Sequence, residues 1–420
     1  MELDPIQSQS YPDATADRGS WPLLMDPLFG PFFGGRLLSG LGVWITNIVL
    51  AILAFQISGS AFAVGLVSVA QFGPQLFLAP LSGAMADRGK RKAQVIVGRA
   101  IVAVGSGGLA ITIWLVGVEG LPGVWVVIAA AGVVGTGFVT GGPAMNAILP
   151  SLVGPKELPT AMALNNLPFS IGRAVGPALG AFIVVTAGPA VALAIAAGAN
   201  ATFVLIMVFL PIRSWSPTAG KDRRIRAGLK YVRDDKTLVR LLVGVAAVGI
   251  GADPILTLTP ALASNLAGDE RFIGILASAF GVGAVIGVFV MTTMRRRFGL
   301  ERLGTIGLGL LSVGLLSTGL SPTRITAVFA LVIGGFGMTT ALTGLSTQLQ
   351  ERLTEEFRGR VMGIYLLAFL GSRPIAGTVN GLISDGTSPR VAFAFAATVV
   401  MGIALWVRAG RTPKVPAVAA

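Results

Sequence analysis

The sequence has no cysteine and no histidine among its 420 residues. Disulfides, thiol nucleophiles, Cys/His metal sites and an imidazole proton relay are therefore excluded together. Charge is also scarce: 12% of residues are charged, 53% are hydrophobic and mean hydropathy is +0.79. A soluble globular chain carries about 25% charged residues, so this composition describes a protein that crosses a membrane many times. The first 27 residues lack an apolar run and hold Glu2, Asp4, Asp13, Asp17 and Asp26 against Arg18, the opposite polarity to a secretory leader. They read as a disordered cytoplasmic tail.

Where charge does occur, it is placed between apolar stretches. GAMADRGKRK, Gly83 to Lys92, is flanked by uncharged runs at 61–86 and 100–118. A hydrocarbon core of about 30 Å needs roughly 20 apolar helical residues, so each flank can cross a bilayer and the charged run is the loop joining them. Its basic residues put the loop on the cytoplasmic side. Counting outward gives six spans over 28–212, a basic linker at 213–237, six spans over 238–408 and a tail at 409–420. The inner loops hold Arg88 to Lys92, Lys221 to Arg226, Arg295 to Arg297 and Arg408 to Lys414, whereas the outer loops hold only Arg271, Arg324 and Arg390. Twelve spans with both termini cytoplasmic, in a cell or inner membrane, satisfy that asymmetry, and an odd number would scramble it. The net charge of +13 is thereby a matter of topology, and no nucleic-acid partner is expected.

The linker sequence RRIRAGLKYVRDDK spaces Ile225, Leu229 and Val232 along one helical face among basic residues. Such a helix lies on anionic lipid or serves as a solvated hinge. The second half also repeats the first. Sliding the chain by 200 positions pairs Arg173 with Arg373, Phe169 with Phe369, Met162 with Met362, Thr140 with Thr340 and Pro189 with Pro389. Two similar six-helix halves about an axis along the membrane normal form a transporter architecture, with a binding site between them near the midplane.

GAMADRGKRK resembles the loop between the second and third helices of the major facilitator superfamily. The longer runs ILPSLVGPKELPTAMALNNLPFSIGRAVGPALGAF and LQERLTEEFRGRVMGIYLLAFLGSRPIAG look like the branch that contains the enterobactin exporter and macrolide efflux pumps. The resemblance implies an all-helical, twelve-span fold in two pseudo-symmetric bundles, alternating access, export, and the proton gradient as driving force with no cofactor, no metal and no enzymatic activity. It also implies a gate formed by Gly83, Asp87, Arg88, Arg91 and Lys92 against Arg358 and Arg360, in which Asp87 meets the amino end of the eleventh span. GRAVGPALG, with Gly172, Gly176, Pro177 and Gly180, resembles the antiporter motif of superfamily exporters; close helix packing by small residues is the plainer reading.

Ionisable groups inside a span are expensive and face a partner or a cavity. Arg173 and Arg373, at matching positions, are candidates to meet an acidic group of a substrate, or to cap backbone carbonyls. Asp253 lies about 20 Å of helix rise beyond Arg240, deep in the seventh span, and is the proton-coupling candidate, although before Pro254 it could instead satisfy backbone freed at a helix break. In the first span, where related exporters often carry an acidic residue, this chain has Gly42, Val43 and Trp44, and sliding the seventh span back 209 positions, a different shift from the 200 of the later helices, sets Asp253 beside Trp44. Arg36 is expected to snorkel to the interface. Asn47, Gln71, Gln75, Asn146, Gln348 and Asn380 are candidate polar groups of a mostly apolar cavity suited to a bulky amphipathic small molecule. The chain is expected to act as a monomer. Uptake of a small metabolite is the alternative within transport, and a non-transporting membrane protein or membrane enzyme the remoter one.

Overall fold

The computed structural model describes residues 19–87, 89–154, 156–212, 225–266 and 270–409, and their regular structure is helical throughout. Helix α1 (Ser20–Leu24) precedes six long helices, α2 (Phe29–Ser58), α3 (Ala61–Asp87), α4 (Arg91–Val116), α5 (Trp125–Ala147), α6 (Leu158–Ala187) and α7 (Pro189–Phe209). The linker helix α8 (Ile225–Asp234) leads into α9 (Lys236–Ala252), α10 (Pro254–Thr257) and α11 (Thr259–Asn265). The chain then continues as α12 (Glu270–Phe298), α13 (Leu300–Gly319), α14 (Arg324–Arg352), α15 (Glu355–Gly386) and α16 (Pro389–Ala409). Twelve helices, taking α9 through α10 as one, are long and apolar enough to cross a membrane.

Local chemistry sets the helix ends. Asp235 starts α9 by accepting from Thr237 N at 2.7 Å, and Thr323 starts α14 through a reciprocal capping box with Thr326. Gly59 ends α2 in the left-handed conformation, its N–H donating to Phe55 O at 2.7 Å. The repeat is legible in the bounds themselves, since α7 and α16 start at Pro189 and Pro389 and are each 21 residues long.

Helices α2 to α7 pack as one bundle and α9 to α16 as another, joined along two seams, α3 against α15 and α6 against α12. Close approaches across both seams, Gly381 to Phe62 and Gly274 to Ala181, lie toward the end that carries the turns after α2, α6, α11 and α15, here termed the hairpin end. The main apolar core runs through both bundles and includes Ile48, Leu53, Val245 and Leu276. At the other end, which carries the start of α2 and the end of α16, a second apolar cluster around Phe29, Phe32, Leu149 and Phe203 is built from the first bundle alone.

One boundary changes and two elements gain detail. Residues 20–24 are helical with Leu23 buried, and Asp26 accepts from Phe29 N at 3.1 Å, so the folded chain begins before residue 28. The seventh span is broken at Asp253 and again at Leu258, because neither Pro254 nor Pro260 has an N–H to continue the ladder. The linker helix rests on α15: Tyr231 stacks on Phe357 at 4.3 Å, Val232 is buried and Leu229 is exposed. The side chain of Ile225 lies outside the described residues.

Candidate functional site

The break in the seventh span places Asp253 against both bundles. Its carboxyl is 1% exposed and is surrounded by the side chains of Ser68, Thr257 and Asn380 and by the Arg373 guanidinium. Asn380 donates to Asp253 Oδ2 at 3.3 Å. The convergence follows from helix periodicity. On α15, Arg373, Gly377 and Asn380 are spaced four and three apart and share one face, as do Gly65, Ser68, Phe72 and Gln75 on α3. Arg373 is 7% exposed, donates to Ala252 O at 3.4 Å across the helix break, and lies 4.7 Å over the Phe72 ring. One cation of the second bundle is thus held by a freed carbonyl, an aromatic face of the first bundle and the field of Asp253.

Glycine makes this seam possible. A Cβ on Gly377 would stand 3.0 Å from Asp253 Oδ1 and 3.3 Å from Ser68 Cβ, and one on Gly65 would strike the Gly377 carbonyl. One further carboxylate ties the same seam nearer the hairpin end. Asp385 of α15 accepts from Ala61 N at 2.7 Å, from Phe62 N at 3.1 Å and from Ser60 Oγ, so a side chain of one bundle caps the amino end of a helix in the other. The opposite seam is closed by the Ala178 N–H donating to Ser278 Oγ at 2.8 Å.

Arg173, the repeat partner of Arg373, is half-buried on α6. Its guanidinium lies 5.6 Å over Phe169, which packs edge-on against Trp44 at 5.7 Å, and Nη1 reaches Met338 Sδ of the second bundle at 3.8 Å. Each of the paired arginines is thus set against the opposite bundle, Arg173 at Met338 and Arg373 at Phe72. The buried Nε of each has no hydrogen-bond partner. Chemically, Arg373 faces the Asp253 carboxylate whereas Arg173 is set against Phe169 and Met338, which leaves a cationic surplus at the interface.

The other sequence candidates separate by place. Asn47 accepts a hydrogen bond from Gln71, and both are buried with Gln75 on the α3 side of the interface. Asn146 is exposed near the end of α5, where it accepts from Arg36 at 3.2 Å. Gln348 donates to Leu300 O at 3.0 Å, a bond between α14 and the start of α13 away from Asp253. Gly172, Gly176 and Gly180 line the face of α6 that meets Trp44 and Ile48 of α2 without room for a Cβ, and the Pro177 carbonyl faces Gly274 of α12. These residues serve close packing, which follows directly from their spacing of four.

Among the described gate residues, Gly83 lies in α3, Arg91 donates to Ala86 O at 3.2 Å and to Ala147 O at 2.8 Å, and Lys92 donates to Val208 O and Leu210 O at 3.0 and 2.8 Å. The first turn of α4 thus satisfies carbonyls at the ends of neighbouring helices in its own bundle. Arg360 lies 4.9 Å over Phe357. Arg88 and the side chains of Asp87 and Arg358 lie outside the described residues. Among the described residues no group of acidic, His or Cys side chains could hold a metal ion.

Asp385 and Arg99 are charged groups of consequence that sequence reasoning passed over. Arg99 lies within the apolar run of α4, so the rule that singled out Arg173 applies to it equally. Asp385, next to a span end, carries no signal of its partner 324 positions away. Arg36 is half-buried and reaches the exposed Asn146 near the end of α5.

Comparison with known proteins agrees with this architecture. The sequence is 27% identical over 353 residues to the enterobactin exporter EntS of Shigella boydii, covering 81% of each chain, and 26% identical over 368 residues to EntS of Citrobacter koseri, covering 83% of this chain and 84% of that one. In structure it is similar to a variant of the nucleoside transporter NupG, with a TM-score of 0.75 at 14% identity over 90% of this chain and 99% of the other. It is likewise similar to an inward-facing bacterial homologue of the iron transporter ferroportin, with a TM-score of 0.70 at 17% identity over 91% and 98%. The family described as transmembrane secretion effector matches residues 18–420. With twelve membrane-spanning helices in two repeated bundles and that match over nearly its whole length, the chain is a membrane transporter and belongs to the transmembrane secretion effector family of the major facilitator superfamily.

Proposed function

We propose that this transporter exports a bulky amphipathic compound, drug-like, macrolide-like or siderophore-like, across the cell membrane in exchange for protons. The observation that carries the reading is Asp253, a buried carboxylate at a helix break, touched by Ser68 of one bundle and Asn380 of the other. A group so placed changes its water access when the bundles rock, which is what coupling a proton to alternating access requires. The names of the relatives support the export direction.

The basic inner loops favour cytoplasmic termini, and in that orientation the hairpin end, bridged by Asp385, Gly65, Gly377 and Ser278, faces outward. Lys230 and Arg233 on the exposed side of α8 meet anionic lipid in this orientation. The protein works as a monomer, because the pathway is complete between its own two bundles.

The test is accumulation in inverted membrane vesicles under an imposed proton gradient, with enterobactin and a macrolide as probes. Gradient-dependent accumulation that disappears in Asp253→Asn is the expected result. Unchanged accumulation in that variant overturns the coupling assignment, and depletion from the vesicles overturns the direction.

A further inference from the structure

The first bundle contains a second polar centre, away from Asp253, made of Arg36, Arg99, Asn146 and Asn165. Arg99 is 3% exposed in the first half of α4, and among the described residues it contacts Met145 Sδ at 3.5 Å, a weak acceptor, and the Phe138 ring at 5.8 Å. Its Nε has no hydrogen-bond partner. Arg36 enters from α2 and repels Arg99; Nη2 donates to Asn146 Oδ1, and the buried Nη1 has no partner. Asn165 of α6 donates to the same Asn146 oxygen at 3.2 Å, which fixes the amide orientations because a flipped Asn165 would oppose two oxygens. Among the described residues neither guanidinium has a carboxylate partner.

A buried and a half-buried like charge with unused donors are costly unless something of opposite sign joins them. Guanidinium forks match the two oxygens of a carboxylate or phosphate, and four helices here direct their polar groups to one point. The exposed Asn146 forms the mouth, at the end of the molecule where the first bundle's apolar cluster is not shared with the second. We infer that Arg36 and Arg99 form a binding site for an oxyanion, a carboxylate or phosphate group, that enters from the cytoplasmic side between α2, α4, α5 and α6. The inference deepens the export reading by giving the cargo an acidic group, and it rests on that reading only for the identification of the anion as cargo. A lipid headgroup phosphate offers the same chemistry.

The test uses the purified full chain with benzoate and inorganic phosphate as probes and benzamide as the neutral control, read by binding of radiolabelled benzoate and by the thermal midpoint from tryptophan fluorescence. In phosphatidylcholine nanodiscs, benzoate and phosphate bind and raise the midpoint and benzamide does neither. Arg99→Gln weakens benzoate binding at least about tenfold, and Arg99→Lys, which keeps the charge but loses the fork, falls between. The ligand-free midpoint of Arg99→Gln is equal to or above that of the parent, because an uncompensated buried charge is gone. Asn165→Ala supplies the same reading if an arginine variant does not fold. Phosphatidylglycerol nanodiscs separate the sources: competition with benzoate identifies a headgroup occupant, and its absence identifies a soluble one, either upholding the oxyanion site. Equal benzoate affinity in parent and Arg36→Gln/Arg99→Gln, or no anion bound by the parent, overturns the inference. Either failure leaves proton-driven export in vesicles standing, and a failure of export leaves anion binding measurable.

Discussion

Helix α2 runs unbroken from Phe29 to Ser58 with Trp44 packed in its middle, whereas its repeat counterpart breaks into α9, α10 and α11 around Asp253. The two spans occupy equivalent places in their bundles but differ in chemistry. In the second bundle a cation and a carboxylate, Arg373 and Asp253, lie side by side and both reach the interface. In the first, Arg36 and Arg99 lie together with no carboxylate among the described residues. A balanced pair can be switched by a single proton, while an unbalanced pair awaits an anion. On the proposed reading, the repeat has kept the scaffold and divided the electrostatic work between its copies.

The largest expected effect comes from erasing the balanced side. Asp253→Asn keeps the shape and the Asn380 contact but cannot titrate, and proton-driven accumulation in inverted vesicles should fall at least about a hundredfold, to background. Equal rates would make the carboxylate a structural filler of the helix break. The next effect concerns stability. Arg373→Met leaves Asp253 buried without its cation and should cost about 3 kcal/mol in reversible unfolding in detergent, whereas Arg373→Met combined with Asp253→Asn should recover most of it. If the double variant is as unstable as the single, the two groups are not coupled.

Much of the comparison could be read from the chain, and the part that could not has a physical cause. Apolar runs and basic loops gave the twelve spans, and the Asp253–Pro254 dipeptide marked the break, because these features act within one helix. The paired positions Arg173 and Arg373 each touch the opposite bundle, at Met338 and Phe72. The capping of α3 by Asp385 and the contact of Arg36 with Asn146 depend on which helices become neighbours, information absent from a span that is apolar on every side. Gln348 looked like Gln71 in sequence because amide side chains carry no mark of depth; only Gln71 shares a helical face with residues that reach Asp253.

A smaller effect separates the seams from the site. Asp385→Ala removes three hydrogen bonds across the bundles, and losing a helix cap costs about 1 kcal/mol, so the closed hairpin end should open roughly fivefold more often. Because the chain has no native cysteine, a single Ser68→Cys reporter labelled by an impermeant maleimide from outside reads this directly. Unchanged labelling would mean that the seam is held elsewhere. Gln348→Ala should be the mildest, with vesicle accumulation within about twofold of the parent; a large loss would bring the α13–α14 end into the pathway.

The most direct measurement is the pH inside proteoliposomes when an exported compound is added to the outside of inverted, purified protein. The account predicts that the parent moves protons out of the lumen as the compound moves in, and that Asp253→Asn moves none. Substrate-dependent proton movement of equal size in both would contradict it.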